Sequence, residues 1–509
     1  MDLPQLIDLL SRPTAYPFAV EKVTVHQTHI SAVFLAGAFA YKIKKPVDFG
    51  FLDFSTLEKR RHFCEEEVRL NRRLAGAVYL GVVPVTAAGV EGAGAVIDWA
   101  VKMQRLPEEA NFADHLLKGT LDRKLVEEVA AKLAAFHRSA ERSPAIAAKA
   151  RFAEVAQNVR EIYTRSLPHI GLTVSQPVFE RVQALHETQL AAHAALVDQR
   201  ADAGKPCDCH GDLHLDHVYH FPDRTPPGDL VIVDCIEFTE RFRHIDPVAD
   251  MAFAVMDFAF YGRRDLGQAF VDAYFDAAGD AEGRMLLPLY TAYRATVRGS
   301  VEGMKLAEKE VPAAERARDL EHARARWLVA LGVLEAPARR PALLLTAGLP
   351  GTGKSSLARA VAAAAGFQVI RSDVVRKELS ATGDLYAPEM TARTYAECQR
   401  RAEKLLFAGQ RVLVDANFRL AAQREAFLDL ARRWGVPAVL GVCQADAAVI
   451  QQRLAARRGD ASDADWQVYQ QVAGEWEEAG SAAHVIDTNG PTESALARVQ
   501  AILAGAGLL

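Results

Sequence analysis

The stretch Ala32–Val47, AVFLAGAFAYKIKKPV, alternates apolar and polar positions on both sides of Gly37. A period of two broken at a glycine predicts a β-hairpin. The next patterned segment, STLEKRRHFCEEEVRLNRRLA (Ser55–Ala75), shifts to apolar spacings of three and four behind a Ser-Thr cap. That predicts a helix. GAVIDWAVKMQRL (Gly94–Leu106) reads as a strand running into a connector, and from LVEEVAAKLAAFHRSA onward the pattern is mainly helical. Short strand-like runs near 207–221 and 230–238 interrupt it. The first part of the chain is thus expected to form a small β-rich lobe with one helix, then a larger helical lobe.

After Pro341 the pattern changes. ALLLTA is apolar on both faces, and strand-like runs then alternate with helical ones, as in a parallel α/β sheet. EAPARRP, Glu335–Pro341, separates the two patterns with prolines and arginines. The expected organisation is an α+β two-lobe domain, residues 1–105 and 106–334, a linker at 335–341, and an α/β domain at 342–509.

A chain of 509 residues exceeds a single core, which agrees with this division. Half the residues are hydrophobic and a quarter are charged, an ordinary balance for globular protein. The start, MDLPQLIDLL, lacks the basic-then-apolar plan of a secretion signal, and no apolar run is long enough for a bilayer. Six scattered cysteines suit reduced thiols, so a cytoplasmic setting without membrane partners is expected. Cys207 and Cys209 form only a C-x-C, with no second pair at zinc spacing, and are read as buried thiols. Residues 341–509 hold equal numbers of acidic and basic side chains, so the net charge of −5 lies before them. Neither part is the basic body of a general nucleic-acid binder.

GLPGTGKS, Gly348–Ser355, satisfies G-x-x-x-x-G-K-[ST], with a predicted strand before it and a helix after it. Gly348, Gly351 and Gly353 let backbone amides approach phosphates at the helix N-terminus. Lys354 reaches the β- and γ-phosphates, Ser355 ligates Mg²⁺, and Ser356 completes the loop. Downstream, VIRSDVVRKEL puts Asp373 at a predicted strand end and Arg376 three residues later. This half resembles the small P-loop kinases of the gluconate kinase and polynucleotide kinase type. The resemblance implies that Asp373 orients the acceptor hydroxyl and Arg376 holds the substrate; the simpler alternative is an Asp capping the next helix. RVLVDANF supplies Asp415 at a predicted strand end, where a Walker-B-like carboxylate would orient Mg²⁺ through water. RLAARRGDASDADW offers Arg453, Arg457 and Arg458 to phosphoryl charge in a lid, or merely to a solvated helix face. No N-K-x-D motif is present, so ATP is expected rather than GTP.

CHGDLHLDHV, Cys209–Val218, is weak alone and gains meaning from its neighbours. In chain order come Lys42 in AYKIKK, Glu67 in the predicted helix, Met103 in VKMQRLP, Asp212, Asp234 at the end of VIVD, then Asp246 and Asp250. The set resembles the aminoglycoside phosphotransferase and choline kinase superfamily over roughly residues 20–300. The resemblance implies ATP phosphates at Lys42, a supporting Glu67, adenine against the backbone near Met103, acceptor activation by Asp212, and Mg²⁺ at Asp234. Asp250 then anchors the loop. Two positions depart from the pattern. His217 stands where the family carries a metal-binding Asn, and imidazole is a poor ligand for Mg²⁺. THISAVFLAG gives no glycine-rich cover, leaving Thr28 and Ser31 as hydroxyl donors there.

Nearly end to end, the chain resembles fused bacterial proteins joining an aminoglycoside phosphotransferase-like domain to a P-loop kinase-like domain. The implied fold is a two-lobe kinase-like domain followed by a P-loop NTPase domain, with ATP and Mg²⁺ as cofactors. The expected activity is phosphoryl transfer to hydroxyls of a small molecule from two nucleotide sites. Two alternatives stay open: a polynucleotide-end kinase acting through the C-terminal half, or one active kinase domain beside an N-terminal half that senses ATP without transfer.

Overall fold

The computed structural model describes residues 1–28, 30–50, 52–306, 312–379, 387–456 and 465–509. By contact the chain divides into two units. The first comprises residues 1–155, 193–257 and 264–287; the second comprises 156–192, 258–263 and 288–509.

The first unit carries an antiparallel sheet of β1 (Val23–Gln27), β2 (Ser31–Ala36), β3 (Phe39–Lys44), β4 (Tyr79–Thr86), β5 (Gly89–Val90) and β6 (Val96–Gln104), ordered β1-β2-β3-β6-β4-β5. The expected hairpin is β2–β3, paired from Ser31 opposite Lys44 to Ala36 opposite Phe39, with Gly37 at φ 58° in the turn. Alternation sorts its side chains. Ala32, Phe34, Ala36, Tyr41 and Ile43 enter one apolar cluster, which places Lys42 and Lys44 together on the other face. The expected helix spans Leu57–Ala75, and Thr56 caps it by accepting from the Lys59 amide. Cys64 and Val68 pack on the sheet, and Glu67 is fully buried beside them.

The structure fixes two boundaries that the sequence pattern leaves open or places differently. β6 runs through Gln104, with Met103 opposite Ala40 and Tyr79, so the connector begins at Arg105. The apolar run at 230–238 yields only β9 (Leu230–Ile232), because Asp234 turns the backbone into the left-handed region at φ 63°. β9 pairs with β8 (Val218–His220), and β7 (Cys207–Asp208) pairs with β10 (His244–Ile245).

In the second unit, β11 (Ala342–Ala347), β12 (Gln368–Arg371), β13 (Arg411–Asp415), β14 (Ala438–Gln444) and β15 (His484–Asp487) form one parallel sheet ordered β12-β13-β11-β14-β15. β11 is buried along its whole length, which explains its unbroken apolar run. Leu344, Leu413, Val439 and Ile486 pack with Leu357 and Val361 of helix Lys354–Ala365 and with Val499 and Leu503 of helix Thr492–Gly505. Helices that precede the proline-rich seam share this unit. A side chain at Gly409 would strike Val178 and Leu331, and one at Gly435 would strike Val329. Among the described residues, no helix is long and apolar enough to cross a membrane.

Candidate active sites

In the first unit, strand register brings the expected lysine to the expected glutamate. Lys42 Nζ lies 3.0 Å from Glu67 Oε1 and 2.6 Å from Asp234 Oδ1. Lys44, one pleat further on the same face, lies 2.7 Å from Glu67 Oε2 and also pairs with Glu237. Burial opposes the charge on Glu67, but Lys42 and then Lys44 outweigh it and hold its carboxyl below the usual range. Burial likewise opposes ionisation of Asp234, and Lys42 followed by His217 brings it down. The backbone at Asp234 is tied at both ends of the turn. Its amide donates to Tyr79 Oη at 3.2 Å, and the Cys235 amide donates to Asn71 Oδ1 at 2.8 Å.

The loop carrying Asp212 is fixed from beneath by Asp250. Its carboxylate accepts from the amides of His210 (3.0 Å) and Gly211 (2.8 Å), and from His137 Nε2 (3.0 Å). The anchoring role expected of Asp250 is therefore its observed role. These bonds also occupy the carboxylate of the one compact trio, His137, Cys209 and Asp250, that among the described residues has metal-ligand proximity. Gly211 has a steric reason. It sits at φ 90°, and a Cβ there would lie 2.9 Å from the carbonyl oxygen of Phe242. His210 donates through Nε2 to the Val233 carbonyl, and burial lowers its pKa to about 4.

A histidine flanks Asp212. Asp212 Oδ1 lies 2.9 Å from His214 Nε2, and His214 Nδ1 lies 3.1 Å from Asp257 Oδ2. His217 Nδ1 is 2.8 Å from the main-chain oxygen of Asp212, and its Nε2 is 3.7 Å from Asp234 Oδ2. Lys42, Glu67, Asp212, His217 and Asp234 thus form one constellation. Thr28 and Ser31 serve locally: their hydroxyls lie 3.0 Å apart and brace the β1–β2 turn.

In the second unit the P-loop follows β11. Gly348, Gly351 and Gly353 take φ of 146°, 83° and 83°, the conformations that turn successive amides toward an anion. Gly348 is also crowded; a Cβ there would lie 2.7 Å from the Cys443 carbonyl oxygen. Lys354 begins the helix, with Nζ 3.4 Å from the Leu349 carbonyl oxygen. Asp415 ends the adjacent strand β13 beside Lys354 and Ser355, with its Oδ2 3.4 Å from Arg371 Nε. Burial raises the Asp415 pKa against the pull of Lys354, and its Oδ1 is buried without a hydrogen-bond partner. An oxygen so placed beside Ser355 and Lys354 fits a hydrated Mg²⁺ bound with a nucleotide.

Asp373 departs from its expected strand end. β12 stops at Arg371, and Ser372 opens helix Ser372–Leu379, so Asp373 lies in the first helical turn, where carboxylates are favoured. Three residues apart on that helix, Asp373 Oδ1 and Arg376 Nη1 are 3.2 Å apart. Arg453 donates to the Thr488 carbonyl at 2.6 Å, and the Thr488 hydroxyl donates to the P-loop carbonyl of Thr352 at 2.6 Å. Arg457, Arg458 and the remainder of the expected lid through 464 lie outside the described residues.

Sequence reasoning missed Lys44, Glu237, His214 and Asp257. Lys44 was signalled by the strand period from Lys42. Asp257 was signalled by its place two helical turns beyond Asp250 in helix Pro247–Phe260.

Comparison with known proteins gives a separate family match to each half of the chain. The phosphotransferase enzyme family matches residues 53–289, and the AAA domain family matches residues 343–478. Uncharacterized proteins of Mycobacterium tuberculosis and Mycobacterium bovis are each 32% identical over 495 residues, spanning 94% of this chain and 95% of theirs. Among solved structures, a choline/ethanolamine kinase family protein from Mesorhizobium loti matches at 15% identity and a TM-score of 0.38, over 65% of this chain and 98% of that one. A gluconokinase from Sinorhizobium meliloti matches at 19% identity and a TM-score of 0.27, over 33% of this chain and 95% of that one.

Proposed function

The chain belongs to the family of these mycobacterial proteins, a phosphotransferase-family segment joined to a P-loop segment, and we propose that it is an ATP- and divalent-cation-dependent kinase with two active sites, each phosphorylating a hydroxyl of a small molecule. The observation that carries this reading is that each unit brings one lysine near two carboxylates: Lys42 near Asp234 and Asp212 in one, Lys354 near Asp415 and Asp373 in the other. Bound ATP supplies the transferable γ-phosphoryl group, and the cation neutralises its charge. Lys42, steadied by Glu67, binds phosphate oxygens. Asp212, flanked by His214, orients the acceptor hydroxyl and receives its proton. In the second unit Lys354 binds phosphate, Ser355 and Asp415 hold Mg²⁺ on oxygen donors, Asp373 orients the acceptor and Arg376 binds it. Six buried, unbridged cysteines support a cytoplasmic setting.

The test is a product profile with radiolabelled ATP and a pool of hydroxylated metabolites. Asp212→Ala and Asp373→Ala should each remove a different phosphorylated product, by on the order of 10²–10⁴-fold, the usual effect of losing a general base. One product, abolished only by Asp373→Ala, would leave the first unit a sensor and overturn the two-site reading.

A further inference from the structure

His217 stands between the two carboxylates of the first unit's site. Its Nδ1 is 2.8 Å from the main-chain carbonyl oxygen of Asp212. A carbonyl can only accept, so Nδ1 carries the proton and donates it. In the neutral ring the lone pair then lies on Nε2. That nitrogen is 3.7 Å from Asp234 Oδ2, while Oδ1 of the same carboxylate is engaged by Lys42 at 2.6 Å. A separation of 3.7 Å is less than two metal–ligand bonds of about 2.0–2.2 Å laid end to end. One cation can therefore touch both atoms.

The ring is also oriented before any cation arrives. A backbone carbonyl behind a ligating imidazole fixes its tautomer and direction. The rings of His210 and His214 stand 6.2 and 5.7 Å from it, centroid to centroid. Those two histidines direct their own nitrogens to the Val233 carbonyl, to Asp212 and to Asp257. His217 is the imidazole that faces Asp234.

We propose that the first unit's site binds a divalent transition cation through His217 Nε2 and Asp234 Oδ2, in preference to Mg²⁺. Mg²⁺ favours oxygen ligands, whereas imidazole suits the borderline transition metals. The two halves of the chain then differ in metal, because the donors at Ser355 and Asp415 are all oxygen. The inference rests on the phosphotransferase reading of this site and refines its cofactor.

The test uses the full-length chain carrying Lys354→Ala, which weakens the P-loop site, loaded with one equivalent of Mn²⁺ and ADP. Electron spin-echo envelope modulation reads nitrogen bound directly to the cation. The expected result is imidazole ¹⁴N modulation that changes to the ¹⁵N pattern when the chain is grown on ¹⁵N-ring histidine. His217→Asn should abolish it and lower the affinity for Mn²⁺ relative to Mg²⁺ on the order of 10–100-fold, the scale found for changes around metal ligands. Bound Mn²⁺ without histidine modulation, or modulation that survives His217→Asn, overturns the inference and leaves the nucleotide-site reading standing. Failure of the chain to bind Mn²⁺ with ADP at all overturns both. The isotope result is obtained on a chain with native His217, so misfolding of the His217 variant cannot rescue the proposal.

Discussion

Glu67 is shared between two lysines: Lys42 takes its Oε1 at 3.0 Å and Lys44 takes its Oε2 at 2.7 Å. The second lysine is 1% exposed and its other partner, Glu237, is buried as well. Lys44 is thus the inner member of a charge network whose outer member faces the site. Removing one partner of a buried ion pair costs about 3–5 kcal/mol, because the other charge is left uncompensated. Lys44→Met should therefore destabilise the first unit by about that amount in urea unfolding. The double variant Lys44→Met, Glu237→Gln should lose less than the sum of the two single changes, since the pair is coupled. Additive losses would show that the two residues do not act together.

At the P-loop, Lys354→Ala removes a charge-assisted contact to phosphate worth about 1.5–3 kcal/mol. Calorimetric titration of the full-length chain with an ATP analogue should then show one of two nucleotide equivalents weakened at least about 10-fold. Two unchanged equivalents would refute the assignment of this loop.

The Asp212 loop should loosen in acid. Burial would raise the Asp250 pKa, but the His137 hydrogen bond and charge, with the His210 contacts, bring it down to about 2 from its ordinary 3.8. A carboxyl with a depressed folded-state pKa contributes stability that is fully present above the unfolded value and is lost as pH falls through the folded value. Amide-exchange protection at His210 and Gly211 should accordingly hold above about pH 4 and decline toward pH 2. Asp250→Asn should flatten that decline. An equal decline in the variant would assign it to other carboxylates.

Much of this arrangement was legible in the sequence, and the remainder failed for identifiable reasons. Period-two alternation around Gly37 located β2 and β3, and with them the face bearing Lys42. The glycine spacing at 348–353 located the P-loop, because its backbone conformations leave few alternatives. Glu237 carried no comparable signal: it meets Lys44 across 193 residues of chain, and no local period encodes that meeting. The sequence pattern puts Asp373 at a strand end because SDVVRKEL begins its helix at once, without a turn to mark the change. His217 was visible as a substitution, yet its tautomer follows only from the carbonyl of Asp212 folding back on it.

The pairing of β11 with β13 sets Thr346 opposite Asp415, and β12 in turn sets Arg371 opposite the same residue. The distance from the P-loop to Asp415 is therefore counted out in residues along a ladder of backbone hydrogen bonds. Slippage by a single position would bring Val414 or Ala416 to that place, and would exchange the two faces of the strand. Insertions and deletions should thus be tolerated very unevenly along this half of the chain. Length changes between Arg411 and Asp415 should be lost from any functional library, while those in Glu335–Pro341, outside the sheet, should persist.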